Sequence, residues 1–273
     1  MNGIFYPDNQ AAVTGQLALW GLKEGAERRF VGGKVIIAPH AAWNISGSVA
    51  AAAFASVQAD EVEFDKAPAR SINRVIILGP CHDSGDEGIY LTESTAFETP
   101  LGDLTVDRKL NRKLSSCSNL IRVNDIPHLS EHSLEVLLPL VKYCFPAAKI
   151  LPVLVSGKRP ILVSSLSRAL RVILENNIEE SLLVISSDVS ANSDLAIALS
   201  MAEKFRSILS NMDTGAFFAL LADGRISACG GAIAAALLKS GLLDGKRFSA
   251  LSPLIHNPED DGLAVYYGAF AWS

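Results

Sequence analysis

Clusters of basic residues are missing from this 273-residue chain. Its 24 lysines and arginines are scattered and outnumbered by 29 acidic residues, for a formal net charge of -5. A duplex-binding surface carries a basic stripe, so nucleic acid is not an expected partner. No apolar run approaches the roughly 18 residues that span a bilayer. Residues 1–7 lack the basic and long apolar regions of a secretion signal. The sequence therefore points away from a membrane and toward the cytoplasm. Cysteine is scarce: Cys81, Cys117, Cys144 and Cys229 show no CxxC spacing. That excludes a disulfide scaffold and leaves reduced thiols as the expectation. Also missing are the GxSxG elbow of serine hydrolases, the GxxxxGK[ST] phosphate loop, and a GxGxxG after a strand.

What is present describes a packed globule. Hydrophobic residues make up 49% of the chain and charged residues 19%, a balance that argues against disorder. No internal repeat, low-complexity linker or composition shift marks a boundary, so one domain over residues 1–273 is expected.

Three segments share one grammar. Val35-Ile36-Ile37-Ala38-Pro39-His40, Val75-Ile76-Ile77-Leu78-Gly79-Pro80-Cys81-His82 and Leu182-Leu183-Val184-Ile185-Ser186-Ser187-Asp188 are short apolar runs that end in polar residues. Such runs read as buried strands of a parallel or mixed sheet. A fourth, Lys149-Ile150-Leu151-Pro152-Val153-Leu154-Val155, carries a proline that predicts a bulge or an edge position. Helical spacing predicts helices over 47–58, 130–144 (with Ser130 as N-cap), 161–175, 195–209 and 231–238, the last nearly all apolar and buried. Residues 90–106 read as inserted β structure and 263–272 as a final strand. Strands alternating with helices predict an α/β, three-layer αβα fold with a mostly parallel or mixed central sheet.

In open α/β sheets ligands bind beyond the carboxyl ends of the strands. His40, His82 and Asp188 each fall just past the end of an expected strand, so all three should emerge on one edge. Taken singly, each has a plainer reading: a loop histidine bonded to backbone, or an aspartate capping the next helix. Cys229 precedes Gly230-Gly231 and the short apolar helix, where a helix N-terminus favours a thiolate, the form that attacks and ligates. The plainer reading there is a buried structural thiol. Glu131 and His132 open the helix expected after Ser130 and could supply a general acid or base; the alternative is dipole complementation by Glu131 and a solvated or capping His132. Cys81, beside His82, is placed to line the same site, and His128 and His256 carry no assignment.

These segments resemble the Memo family, known in bacteria and archaea as AmmeMemoRadiSam system protein B. The resemblance is carried in order by Ala38-Pro39-His40-Ala41-Ala42-Trp43 with Ser46-Gly47, Leu78-Gly79-Pro80-Cys81-His82, Glu98-Thr99-Pro100-Leu101-Gly102 and Glu131-His132-Ser133-Leu134-Glu135-Val136 with Leu138-Pro139. Ile185-Ser186-Ser187-Asp188-Val189-Ser190, Cys229-Gly230-Gly231 and Tyr267-Gly268 follow. It implies a fold like that of the class III extradiol dioxygenases, in which two histidines and a carboxylate hold Fe(II). The ligand set it implies here is His40, His82 and Cys229, with Glu131, His132, Asp188 and Cys229 as reacting or proton-handling groups. Two imidazoles and a thiolate suit Fe(II), copper or zinc. The chain also departs from the family pattern: Ala191 stands where members usually have histidine, Ala42 replaces a frequent glycine, and Asp83 follows His82. Asp83 or His132 could stand in for the histidine absent at Ala191.

A metal-dependent redox enzyme is the first function this implies. The second is a degenerate scaffold that binds a peptide or protein, as some Memo relatives are implicated in binding phosphotyrosine peptides. The third is an enzyme with Cys229 as nucleophile, activated by His40 or His82. The expected partner is a small molecule or peptide. The family name further implies association with radical-SAM and AMMECR1-like proteins.

Overall fold

In a computed structural model, residues 3–25, 29–30, 34–58, 70–83, 86–175, 180–257 and 262–273 are described. An eight-stranded sheet runs in the spatial order Phe248–Ala250, Phe270–Trp272, Lys34–Ala38, Ser181–Ser186, Arg74–Pro80, Lys149–Ser156, Gly88–Leu91, Ile121–Val123. The central strands Lys34–Ala38, Ser181–Ser186, Arg74–Pro80 and Lys149–Ser156 are mutually parallel, and the junctions with Phe270–Trp272 and Gly88–Leu91 are antiparallel. The sheet is mixed, with a parallel middle.

The continuous apolar runs follow from burial on both faces. Along Arg74–Pro80, Ile76 and Leu78 join one core while Val75 and Ile77 join the other. All four are fully buried, and each contributes about 1.5–3 kcal/mol. One face is covered by helices Gln10–Leu19, Ser48–Gln58 and Leu138–Cys144. The other is covered by Arg108–Ser115, Pro160–Leu174, Leu195–Asn211, Thr214–Ala222 and the buried Gly231–Ser240. This is a three-layer αβα arrangement. No helix among the described residues is long and apolar enough to cross a membrane.

Several local expectations are corrected. Pro152 is neither at an edge nor in a bulge: it pairs in register with Ile77 in the interior of the sheet. The backbone groups of Ile150 face the other neighbour, since its carbonyl accepts from Asp107 N, and by alternation Pro152 faces the same way. Pairing with Gly88–Leu91 on that side begins only at Val153, so the missing proline N–H leaves no partner strand unpaired.

The helix expected over 130–144 is two pieces, His132–Glu135 and Leu138–Cys144, and a separate short helix, Ile126–Ser130, ends where it was expected to begin. Between that short helix and the first piece, Glu131 takes extended backbone and caps the first piece, accepting from Ser133 N, so Glu131 and not Ser130 is the N-cap. The C-terminal run divides between two sheets: Ala264–Tyr267 pairs with Ser190–Asn192 and Ile255–His256, and Phe270–Trp272 enters the main sheet.

Candidate functional site

The parallel register gathers the site. Ser186 pairs with Ala38, and Ile185 with Leu78, so three strands end nearly flush. His40, His82 and Asp188 each lie two residues beyond the last strand residue. Cys229 reaches the same place because its following glycine lies against the strand end. Gly230 N donates to Ser187 Oγ at 2.9 Å, and a Cβ on Gly230 would come within 2.7 Å of Ser187 Cβ and 2.9 Å of the Ser186 carbonyl oxygen. Only glycine fits there. Gly79 gives the Glu131–His132 segment similar access, since a Cβ on it would meet Ser133 Oγ at 2.5 Å.

Two donor groupings result. Ring nitrogens of His40, His82 and His132 lie within 4.8 Å of one another, and so do donor atoms of His40, Asp188 and Cys229. Cys229 also lies close enough to the His40 and His82 rings for each to shift the other's protonation. The three histidine rings form a compact set: His40 stands edge-on to His82 and His132, with centroids 5.3 and 5.4 Å away, while His82 and His132 stack at 4.9 Å. Phe5 stacks on His132, also at 4.9 Å, and extends the column.

Hydrogen bonds fix the rings. Ser186 Oγ has one proton and gives it to the Ser133 carbonyl at 2.5 Å. The 2.8 Å contact between Ser186 Oγ and His40 Nδ1 therefore runs from Nδ1–H to the hydroxyl oxygen. His82 Nδ1 donates to Glu131 Oε1 at 2.9 Å. Both histidines thus carry a proton on Nδ1, so Nε2 is the nitrogen a metal would take by displacing its proton, an arrangement in which the outer partner sets the ring orientation. Asp188 Oδ1 accepts from His40 N at 3.0 Å, and its Oδ2 lies 3.7 Å from His40 Nε2. Asp188 therefore serves the site, whereas the helix beginning at Leu195 is capped by Asp194.

Glu131 is the most heavily engaged acid. It accepts from His82 N at 2.5 Å, from His82 Nδ1 and from Ser133 N, and lies 3.4 Å from His132 Nδ1. Burial pushes its carboxyl up, but these donors outweigh burial and hold it at about 2. The Cys229 and Glu131 contacts raise His82 to about 10. Burial lowers His40, yet the Asp188 carboxylate and Cys229 raise it overall. Burial raises the Cys229 thiol, and the neighbouring His40 and His82 rings bring it below the ordinary value. His132 moves the opposite way from the other two rings: burial and the neighbouring His40 hold it down.

Every residue singled out from sequence thus falls in one place: His40, His82, Glu131, His132, Asp188 and Cys229. Cys81 lines an adjoining cleft with Glu131. Ala191 lies beside the Cys229 segment, its N–H donating to Ser227 Oγ at 3.0 Å. Sequence reasoning missed the roles of Ser186, Ser133 and Phe5. Paired serines ending a buried apolar strand were a usable signal for Ser186, because a buried hydroxyl must find partners; Phe5 offered none.

The donor set fits a transition metal. Ligand bonds of about 2.0–2.3 Å to imidazole and thiolate bring donors to separations of this order, and the sulfur–nitrogen mixture suits iron, copper or zinc.

Comparison with known proteins agrees with the sequence motifs. The family model described as Memo-like protein matches residues 1–253. A MEMO1 family protein of Nitrosopumilus maritimus (strain SCM1) is 27% identical over 205 residues, covering 74% of this chain and 70% of that protein. The Protein memo-1 homolog of Caenorhabditis elegans is 33% identical over 190 residues, covering 68% of this chain and 50% of its own length. The crystal structure of the uncharacterized protein JW3007 from Escherichia coli K12 shares the fold at a TM-score of 0.52 and 13% identity, over 88% of this chain and 100% of that one. With a family model covering all but the last part of the sequence, the chain belongs to the Memo family.

Proposed function

We propose that this Memo-family chain is a metal-dependent redox enzyme whose metal is held by His40, His82 and Cys229. The observation that carries this reading is the pair of outer hydrogen bonds, from His40 Nδ1 to Ser186 and from His82 Nδ1 to Glu131. They leave the Nε2 atoms of His40 and His82 and the acidified Cys229 thiol as the donors offered to a metal. A bound Fe(II) or copper ion would supply one-electron or oxygen chemistry there, and zinc would supply Lewis-acid chemistry.

The chain's own residues have separable tasks. Ser186 and Glu131 hold the rings in their ligating orientation. Asp188 fixes the His40 backbone and sets a negative charge beside its ring. His132, held neutral by burial and by His40, accepts or returns a proton at a ring nitrogen. Phe5 keeps that ring in its plane by stacking. The test is elemental analysis of anaerobically purified protein before and after Fe(II), Cu(I) or zinc addition. One metal per chain in the parent, lost in Cys229→Ser and in His40→Ala/His82→Ala, supports the reading. A parent that stays metal-free after all three additions defeats it.

A second reading rests on the Cys229 thiol itself, lowered by contact with His40 and His82. It makes Cys229 a nucleophile in a metal-free site. Iodoacetamide reacting with Cys229 at undiminished rate in metal-treated protein would favour it. Metal that blocks alkylation favours the first.

A further inference from the structure

Beside the histidine cluster the fold leaves a cleft of about 490 Å³, within the range of small-molecule sites. Its position is set by the cluster: Glu131, which holds His82, lines it, and so does Asp83, the residue after His82. Arg122 and Tyr90, register partners on adjacent strands, line it as well. Ile126 and Pro127 add apolar surface, with Ile126 73% exposed.

The charged residues of the cleft are Asp83, Asp86, Arg122 and Glu131, of which Glu131 is held by His82 and Ser133. Asp83 and Arg122 both line it, yet no ion pair or side-chain hydrogen bond joins either to any described residue. A carboxylate and a guanidinium facing one space, each without a partner among the described residues, match a ligand that carries both complementary charges. The planar guanidinium recognises a carboxylate through paired hydrogen bonds. The smallest ligand that brings a carboxylate and an ammonium close together, and still has a chain to lay on Ile126 and Pro127, is an amino acid.

We propose that the cleft binds a free α-amino acid with an apolar side chain, its carboxylate on Arg122 and its ammonium on Asp83. This names the substrate class of the centre described above and rests on that reading only for the chemistry that follows binding.

The test uses the metal-stripped protein. The common amino acids are screened by thermal shift, and positive ones are titrated by calorimetry. Saturable binding of an apolar amino acid is expected. N-acetylation of that ligand should weaken binding to the parent about tenfold and leave binding to Asp83→Asn unchanged, while its α-amide should show the same pattern with Arg122→Ala. Both residues are exposed, so the variants should melt with the parent. Binding by none of the common amino acids overturns the proposal, as does binding that both variants leave intact. Metal content of the same preparations separates the two claims. Amino-acid binding without metal uptake keeps the cleft and removes the metal centre; metal uptake without amino-acid binding does the reverse.

Discussion

Replacing Glu131 by glutamine tests the electrostatic core of the site. The side chain is 2% exposed and its carboxyl sits at about 2 instead of the ordinary 4.5. At about 1.4 kcal/mol per pH unit, that drop corresponds to ~3 kcal/mol of stability near neutral pH. The sign follows from the direction. A carboxyl depressed in the folded state stabilises fully above its unfolded value of 4.5, and the contribution is lost as pH falls through about 2. Near pH 3 about half remains, ~1.4 kcal/mol. Glutamine keeps the shape but turns a donor toward the His82 N–H. Urea unfolding of metal-stripped parent and Glu131→Gln should therefore differ by ~2–3 kcal/mol near pH 7, a gap that holds down to about pH 5 and narrows from there toward pH 2. A gap below ~0.5 kcal/mol, or one that does not change with pH, would refute the argument that Glu131 is a buried anion held by His82.

Other expectations follow from single contacts. Ser186→Ala leaves the His40 Nδ1 proton unpaired in a buried site, so metal affinity should fall about 10–100-fold by competitive chelator titration. Gly230→Ala should drive the backbone away from Ser187, costing ~1–3 kcal/mol in chemical denaturation and weakening metal uptake together. In metal-free protein, iodoacetamide should alkylate Cys229 with an apparent pKa below the ordinary thiol value of 9.0. His82→Ala should move that value upward and slow the reaction at neutral pH.

The sheet was readable because its parallel strands are buried on both faces, which writes an unbroken apolar run into 35–38, 75–78 and 182–185. The site followed from the same signal, since polar residues directly after those runs must lie on one edge. What was not readable came from contacts between distant segments. The helix over 130–144 has good apolar spacing, but Glu131 is drawn out of it by His82, which is distant in sequence. Pro152 looks like an edge residue by composition, and its place inside the sheet depends on where the neighbouring strand stops. Phe5 carries no mark of its stack on His132. The final run looked like one strand because bulky and small residues alternate from Leu263 to Trp272, although the chain passes from one sheet to another within it.

The most direct measurement of the central claim is X-ray absorption spectroscopy of the metal-loaded protein beside a Cys229→Ser variant loaded the same way. One sulfur scatterer at about 2.3 Å with imidazole nitrogens at about 2.0–2.1 Å, and loss of the sulfur shell in the variant, is the predicted result. A purely nitrogen and oxygen shell in the parent, unchanged by the substitution, would contradict it.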